Sequence, residues 1–321
     1  MAGILRIVSP AATLVEALEP LRSDPSRSAV LLDIDGTLAP IVRHADDAHV
    51  PEATRSLLIE IAKRYRLVGC VSGRRAATAR QIVAIGTIAY VGNHGGELLR
   101  PGATRPELDP ELAAWSERVR AFAARIYTSE HQRLRVRAED KQAIAAFHWR
   151  GAPDEGAAAA AVREIAARAE QEGFAVHWGR KVLEVRPPVE LNKGLGVIAL
   201  LDGRHRGPSR SDGSAAHAAP LDGRGPESAR AEGSAAPAAP PDGRGPGGAV
   251  GPVLRAALYV GDDSTDLDAF RGLRSLAQRG MLTHALCVAV RSDEAPPELL
   301  AEADLAIDGP EGVRALLEAL L

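Results

Sequence analysis

The chain has 321 residues, 39 Lys and Arg against 42 Asp and Glu, a formal net charge of -3, and 45% hydrophobic types. Near-balanced charge gives no electrostatic reason to expect nucleic acid or a membrane surface as a partner, and no apolar run reaches the length of a membrane span. The length suggests two domains.

Residues 1–20, MAGILRIVSPAATLVEALEP, are mildly apolar, but Arg6, Pro10 and Glu16 interrupt any signal-peptide core, so the segment reads as mature protein. Residues 29–32 (AVLL) read as a short buried strand that leads into the run LLDIDGTLAP, 31–40. Asp33 and Asp35 lie two residues apart, so on an extended backbone their carboxylates point the same way. Like charges side by side are costly unless a cation or a proton settles them. Gly36 permits the turn that follows and Thr37 adds a hydroxyl, a combination suited to a site.

Residues 51–63 have apolar positions at helical spacing, 66–74 (RLVGCVSGR) read as a second buried strand, and 75–85 as a helix. Residues 87–97 (TIAYVGNHGGE) read as a third strand and a glycine-rich loop. This alternation predicts a parallel sheet with right-handed crossovers, whose ligands collect at the carboxyl ends of the strands. From 106 to 186 the pattern changes to helix (110–126), hairpin (133–150), Ala-rich helix (154–172) and a second alternating pair around Gly179 (174–187). That order predicts an α+β unit on an antiparallel sheet, inserted into the parallel one as a cap. The parallel pattern then resumes, with a helix at 192–201, strands at 255–263, 284–290 and 304–309, and a closing helix at 310–321.

The expected organisation is therefore an N-terminal extension (1–28), a Rossmann-like core in three pieces (29–105, 187–201 and 253–321), a cap domain (106–186) and an insert (202–252). The insert repeats LDGRHRGPSRSDGSAAHAAP-like units at a 20-residue period with almost nothing apolar to bury, a composition that predicts disorder or a tethering arm. Cys70 and Cys287 sit in apolar strand-like runs and read as buried reduced thiols, which fits a cytoplasmic setting. Among the 39 cationic residues only four are lysines, at 63, 141, 181 and 193, so a lysine here hints at a need for a compact point charge.

The opening motif has a chemical reading. An aspartate at a strand end can attack phosphorus and form an acyl phosphate, while a second one two residues on protonates the leaving oxygen and later deprotonates water. Both tasks call for Mg²⁺, which prefers oxygen ligands. The segment DIDGT, 33–37, resembles the first motif of the haloacid dehalogenase superfamily of phosphotransferases, and the other motifs follow in order: Ser72 in VSGR, Lys193 in NKG and GDDSTD at 261–266. The resemblance implies Asp33 as nucleophile, Asp35 as general acid and base, and Thr37, Ser72 and Lys193 on the phosphoryl oxygens. It implies Asp33, the backbone carbonyl of Asp35 and Asp262 on the metal, with Asp263 and Asp266 in support.

A narrower resemblance rests on GNHGGE (92–97), EDK (139–141), FHWR (147–150), VLEVRP (182–187) and GDDSTDLDAF (261–270). These segments look like the trehalose-6-phosphate phosphatase family, in which residues at the positions of Glu139, Lys141 and Glu184 line the sugar pocket. The implied activity is Mg²⁺-dependent hydrolysis of trehalose 6-phosphate, the last step of trehalose biosynthesis. Two other readings stand beside it. One is a phosphatase of the same superfamily acting on sucrose, mannosylglycerate or glucosylglycerol phosphates. The other is a non-catalytic partner of a trehalose-phosphate synthase, held through the repeat arm.

Overall fold

The computed structural model describes residues 10–42, 47–202, 253–292 and 295–321. The expectation for 202–252 therefore lies outside the described residues, apart from Asp202, and so does that for the first nine residues. A helix not expected from the sequence, α1 (Pro10–Arg22), comes first; Leu18 and Leu21 lie on its buried side. Then follow β1 (Ser28–Leu32), α2 (Glu52–Arg64), β2 (Leu67–Val71), α3 (Ala76–Val83) and β3 (Ala89–Gly92). The three strands pair in parallel, Val30 opposite Val68 and Cys70 opposite Tyr90.

After β3 the chain turns through Asn93, His94 and Gly95, all at positive φ, into two short antiparallel strands, β4 (Glu97–Leu99) and β5 (Glu107–Leu108). The chain thus leaves this sheet just after residue 108, slightly later than the boundary expected at 106. It then builds α4 (Pro110–Ile126), α5 (Ser129–Arg133), β6 (Arg137–Asp140), β7 (Ala145–His148), α6 (Glu155–Gln171), β8 (Ala175–Gly179) and β9 (Val182–Arg186). These four strands form a separate antiparallel sheet in the order β6-β7-β9-β8. Phe147, Leu183 and Val185 turn one face of it toward Phe122, Val162 and Ile165 of α4 and α6.

The chain returns as α7 (Lys193–Asp202), β10 (Ala256–Gly261), α8 (Asp266–Gln278), β11 (His284–Arg291), α9 (Pro297–Glu302), β12 (Leu305–Asp308) and α10 (Gly309–Leu320). The large sheet has the order β12-β11-β10-β1-β2-β3-β4-β5, parallel from β12 to β3. β1 is the central strand, and its residues alternate between two cores: Val30 and Leu32 join one, Ala29 and Leu31 the other. Burial on both faces explains why the strand reads as an unbroken apolar run. The chain moves outward from β1 on one side and later returns to its other side as β10, so the strand order reverses between β1 and β10. Crevices at such reversals open at the carboxyl ends of the strands, and here they carry Asp33 and Asp262.

The approach of α7 to α8 brings Lys193 and Asp266, the first residues of the two helices, together. Glycines permit it: a Cβ on Gly272 would lie 2.6 Å from the carbonyl oxygen of Gly194. The substitution Gly272→Ala must push the helices apart, at an expected cost of about 1–3 kcal/mol. Urea denaturation reads this as a lower midpoint; an unchanged midpoint would mean that the helices separate freely.

Candidate active site

At the reversal point, β1 ends at Leu32 while the amide of Asp33 still donates to Val260 O of β10 at 2.8 Å. The backbone then turns: Leu38 and Ala39 both donate to Ile34 O, and Gly36 has φ +91°. The sequence argument that Asp33 and Asp35 share a side on an extended backbone is therefore corrected, because the strand stops before either. Their carboxylates go to different partners. Gly36 is needed here for a second reason, since a methyl group on it would overlap the Asp262 carboxylate.

Asp33 is buried and accepts from Lys193 Nζ at 2.7 Å. The same ammonium donates to Asp266 Oδ1 at 2.7 Å and lies 3.8 Å from Asp263. Asp266 is saturated. Its Oδ1 also accepts from the Tyr259 hydroxyl at 2.6 Å, and its Oδ2 accepts the backbone amides of Asp262 and Asp263. Asp262 is buried as well and accepts from the Thr37 hydroxyl at 3.0 Å, while Asp263 is exposed and bonds to Thr265. Ser72, at the end of β2, is buried and accepts from the amide of Arg74.

Four carboxylates thus gather around one ammonium. Burial pushes the Asp33 carboxyl up, Lys193 pulls it back, and Asp266, Asp262 and Asp263 add to the rise, leaving it well above the ordinary carboxylate range. Burial, Asp266 and Asp263 push Asp262 up to about 7. Burial opposes the charge on Lys193, yet Asp266 and Asp33 outweigh it and hold the ammonium charged. Oxygen atoms of Asp33, Asp262 and Asp266 lie within 4.8 Å of one another, close enough to share a metal ion, though Asp266 would have to exchange one of its present donors to ligate it directly. An all-carboxylate donor set with excess negative charge fits a hard divalent cation such as Mg²⁺. Asp263, expected in support, stands outside that trio, as does the Asp35 side chain.

Asp35 is held instead by Arg74, whose Nε and Nη2 each donate to one of its oxygens at 2.7 Å. Behind Arg74 the loops after β2 and β3 are fastened together. Asn93 N donates to Arg74 O at 2.8 Å and His94 N to Ser72 O at 3.3 Å. Glu97, fully buried on β4, caps α3 through the amide of Ala76 at 2.8 Å and accepts from Asn93 Nδ2 at 2.7 Å. Asn93 Nδ2 also reaches Lys141 O at 3.0 Å, which joins the large-sheet loop to the β6–β7 turn.

Lys141 and Glu184 meet across that second sheet at 2.7 Å, and Glu184 also accepts from Arg186. Burial would raise the Glu184 carboxyl, but Lys141 and Arg186 outweigh it and hold it at about 2. The imidazole of His94 lies 3.9 Å from Glu184, with its ring against Gly73. Burial and Arg186 push His94 down to about 3, against the pull of Glu184, so it is neutral at pH 7. Glu139 is exposed at the edge of the sheet and pairs with His148 at 2.9 Å.

Most of the residues expected from the sequence fall in two neighbouring clusters, Asp33, Thr37, Lys193, Asp262 and Asp266 in one, with Asp263 at its exposed margin, and Lys141 and Glu184 in the other, while Glu139 stands apart at the sheet edge with His148. Ser72, Asp35 and Arg74 lie between them. Sequence reading did not single out Arg74, Asn93, His94, Glu97 or Arg186. All five stand inside quoted motifs, each next to a glycine or a proline near a strand end, and that placement is the signal that could have found them.

The sequence profile of the family described as trehalose-phosphatase matches residues 31–215. An uncharacterized glycosyl hydrolase of Mycobacterium tuberculosis is 30% identical over 250 residues, 77% of this chain and 15% of that protein. A trehalose-phosphate phosphatase of the same species is 35% identical over 176 residues, 54% of this chain and 44% of the relative. The chain thus spans less than half the length of either relative. Among solved structures, the C-terminal domain of Candida albicans trehalose-6-phosphate phosphatase has a TM-score of 0.62 at 20% identity, covering 97% of this chain and 96% of that one. The likeness bears out the expected fold, a haloacid dehalogenase core with an inserted α+β unit.

His94 makes acid sensitivity testable. Unfolded, its imidazole takes up a proton near 6.5; folded, only near 3. Between these values the unfolded chain binds the extra proton, so stability falls as pH drops. His94→Asn, a residue that tolerates positive φ, should flatten that loss between pH 6.5 and 4, by at most about 1.4 kcal/mol per pH unit. Unfolding midpoints measured at several pH values would show it; parallel curves for both proteins would refute it.

Proposed function

The chain belongs to the trehalose-phosphatase family, and from that membership and the charge arrangement of its site we propose that it is a Mg²⁺-dependent phosphatase hydrolysing trehalose 6-phosphate to trehalose and phosphate. The observation that carries the reading is the 2.7 Å pairing of Asp33 with Lys193 inside a buried carboxylate cluster. Asp33, Asp262 and the backbone carbonyl of Asp35 would hold the metal, with Asp266 fixing the loop of Asp262. When bound, the cation screens the carboxylates from the phosphoryl group and lets Asp33 stay ionised.

The carboxylate of Asp33 attacks phosphorus and the bond from phosphorus to the sugar oxygen breaks. Asp35 gives that oxygen its proton, leaving an aspartyl phosphate and free trehalose. Water then attacks the phosphoryl group, Asp35 takes its proton, and phosphate leaves with Asp33 restored. For Asp35 to carry a proton it must first part from Arg74, whose guanidinium is then available to phosphoryl oxygens. Lys193 and Ser72 bind the same oxygens as charge moves onto them. Thr37 braces Asp262 at rest and joins them by rotation of its hydroxyl.

Residues 106–186 act as the cap in this reading, with Lys141 and Glu139 offered to sugar hydroxyls and Glu184 holding Lys141 and Arg186 in place. A cytoplasmic setting belongs to the same reading, supported by the free, buried thiols Cys70 and Cys287. No helix among the described residues is long and apolar enough to cross a membrane. A synthase partner held through residues 202–252 is a separate proposal, tested by pull-down after deletion of 204–248.

Phosphate release is to be measured from trehalose 6-phosphate and from sucrose, mannosylglycerate and glucosylglycerol phosphates. The expected result is preference for trehalose 6-phosphate, loss on chelation of Mg²⁺, and a fall in kcat of about 10³-fold or more for Asp33→Asn. Preference for another of these substrates keeps the chemistry and rejects the sugar. Activity retained by Asp33→Asn rejects the chemistry.

A further inference from the structure

One residue facing the site has no part in the account so far. Strand register aligns Glu139, Ala146, Glu184 and His177 in a single row across all four strands of the second sheet. Residues directly opposite each other in such a ladder share a face. It is the face toward the large sheet, because Glu184 in that row meets His94. The middle of the row, Ala146 and Glu184, is buried, while its two ends, Glu139 and His177, are exposed.

The two ends differ in one respect. Glu139 is engaged by His148, whereas the His177 imidazole makes no side-chain hydrogen bond among the described residues. Its ring centroid is 6.5 Å from that of His94, on the edge strand β8. Burial and Arg186 lower the proton affinity of the imidazole, so at neutral pH it offers one N–H donor and one bare nitrogen. A sugar hydroxyl, which donates and accepts, matches that pair.

On the reading proposed above, we infer that His177 is a sugar-recognition residue for the ring farther from the phosphoryl group, beyond the Lys141–Glu184 pair. The row supports this by its length. Three interstrand spacings amount to about 14 Å, room for two linked six-membered rings but more than one ring needs. The phosphoryl end is fixed near Ser72 and Asp33, and His94 stands between Gly73 and the Glu184 row. A ring bound next to the phosphate therefore occupies the His94–Lys141 neighbourhood, and the second ring reaches the edge strand. A monosaccharide phosphate stops short of it.

The test compares wild type, His177→Ala and His177→Gln on trehalose 6-phosphate and glucose 6-phosphate. His177→Ala should raise KM for trehalose 6-phosphate by about tenfold, the worth of one or two hydrogen bonds. Its kcat for that substrate, and its KM for glucose 6-phosphate, should move by less than about twofold. His177→Gln keeps a donor and an acceptor and should recover most of the loss. An unchanged KM for the disaccharide, or equal shifts for both substrates, overturns the inference. If wild type prefers another disaccharide phosphate, the substrate proposed above fails, while the same ratio measured on that compound still decides about His177. If no sugar phosphate is turned over, the imidazole NMR signals of His177 decide instead. In Asp33→Asn they should shift with trehalose 6-phosphate and stay fixed with glucose 6-phosphate; signals fixed in both overturn the assignment.

Discussion

The buried ammonium of Lys193 is the joint on which the carboxyl end of the large sheet depends. It bonds at 2.7 Å both to Asp33, just past the central strand, and to Asp266, at the start of α8, while it sits itself at the start of α7. Three segments distant in sequence are thereby tied at one point. Breaking a buried pair by removing one partner costs about 3–5 kcal/mol, because the other charge is left uncompensated. The sheet supplies the address through the reversal between β1 and β10, and the glycine contact of α7 with α8 supplies the close approach. Without these, a lysine at residue 193 would have no acidic neighbours to hold.

The second sheet repeats this logic with the opposite sign. There one buried carboxylate, Glu184, is shared by Lys141 and Arg186. The polar side chains that surround it come from both sheets, since His94 and Asn93 belong to the loop after β3. That loop therefore carries two duties. It closes the turn around Ser72, and it is the place where the β6–β7 turn rests. Its backbone at positive φ and the buried Glu97 behind it keep both contacts in register.

Much of this was legible in the sequence because strand ends announce themselves. Apolar runs ending in DIDGT, VSGR and GDDSTD marked three loops that the parallel sheet then had to place together, and α4 was read with its observed bounds. What was not legible depends on contacts between segments far apart in the chain. Nothing near Arg74 shows that it will grip Asp35, and nothing near His177 shows that register with Glu184 will turn it toward the site. The α1 helix escaped notice because its apolar side, Leu14, Ala17, Leu18 and Leu21, is interrupted by an internal Pro20. The shared side of Asp33 and Asp35 was inferred from strand geometry, which does not apply because the strand ends at Leu32, before either aspartate.

The opposed charge of the two clusters constrains what can bind between them. Around Lys193 negative charge is in excess, as the raised Asp33 and Asp262 register. A phosphoryl group carries negative charge of its own, and like charges in a buried site repel strongly. It can approach Asp33 only if the excess is balanced from the side of the carboxylates, which a divalent cation does, and from the side of the sugar, where Arg74, Lys141 and Arg186 stand. Those three cations are now held by Asp35 and Glu184, within reach of the space between the sheets but not free in it. A ligand that brings both a phosphoryl group and several hydroxyls can exchange these internal partners for its own. A ligand with hydroxyls alone gives Arg74 no reason to release Asp35, and a bare phosphate gives Lys141 none to loosen its hold on Glu184. On the function proposed above, this pairing of charges would favour a phosphorylated sugar over either part alone.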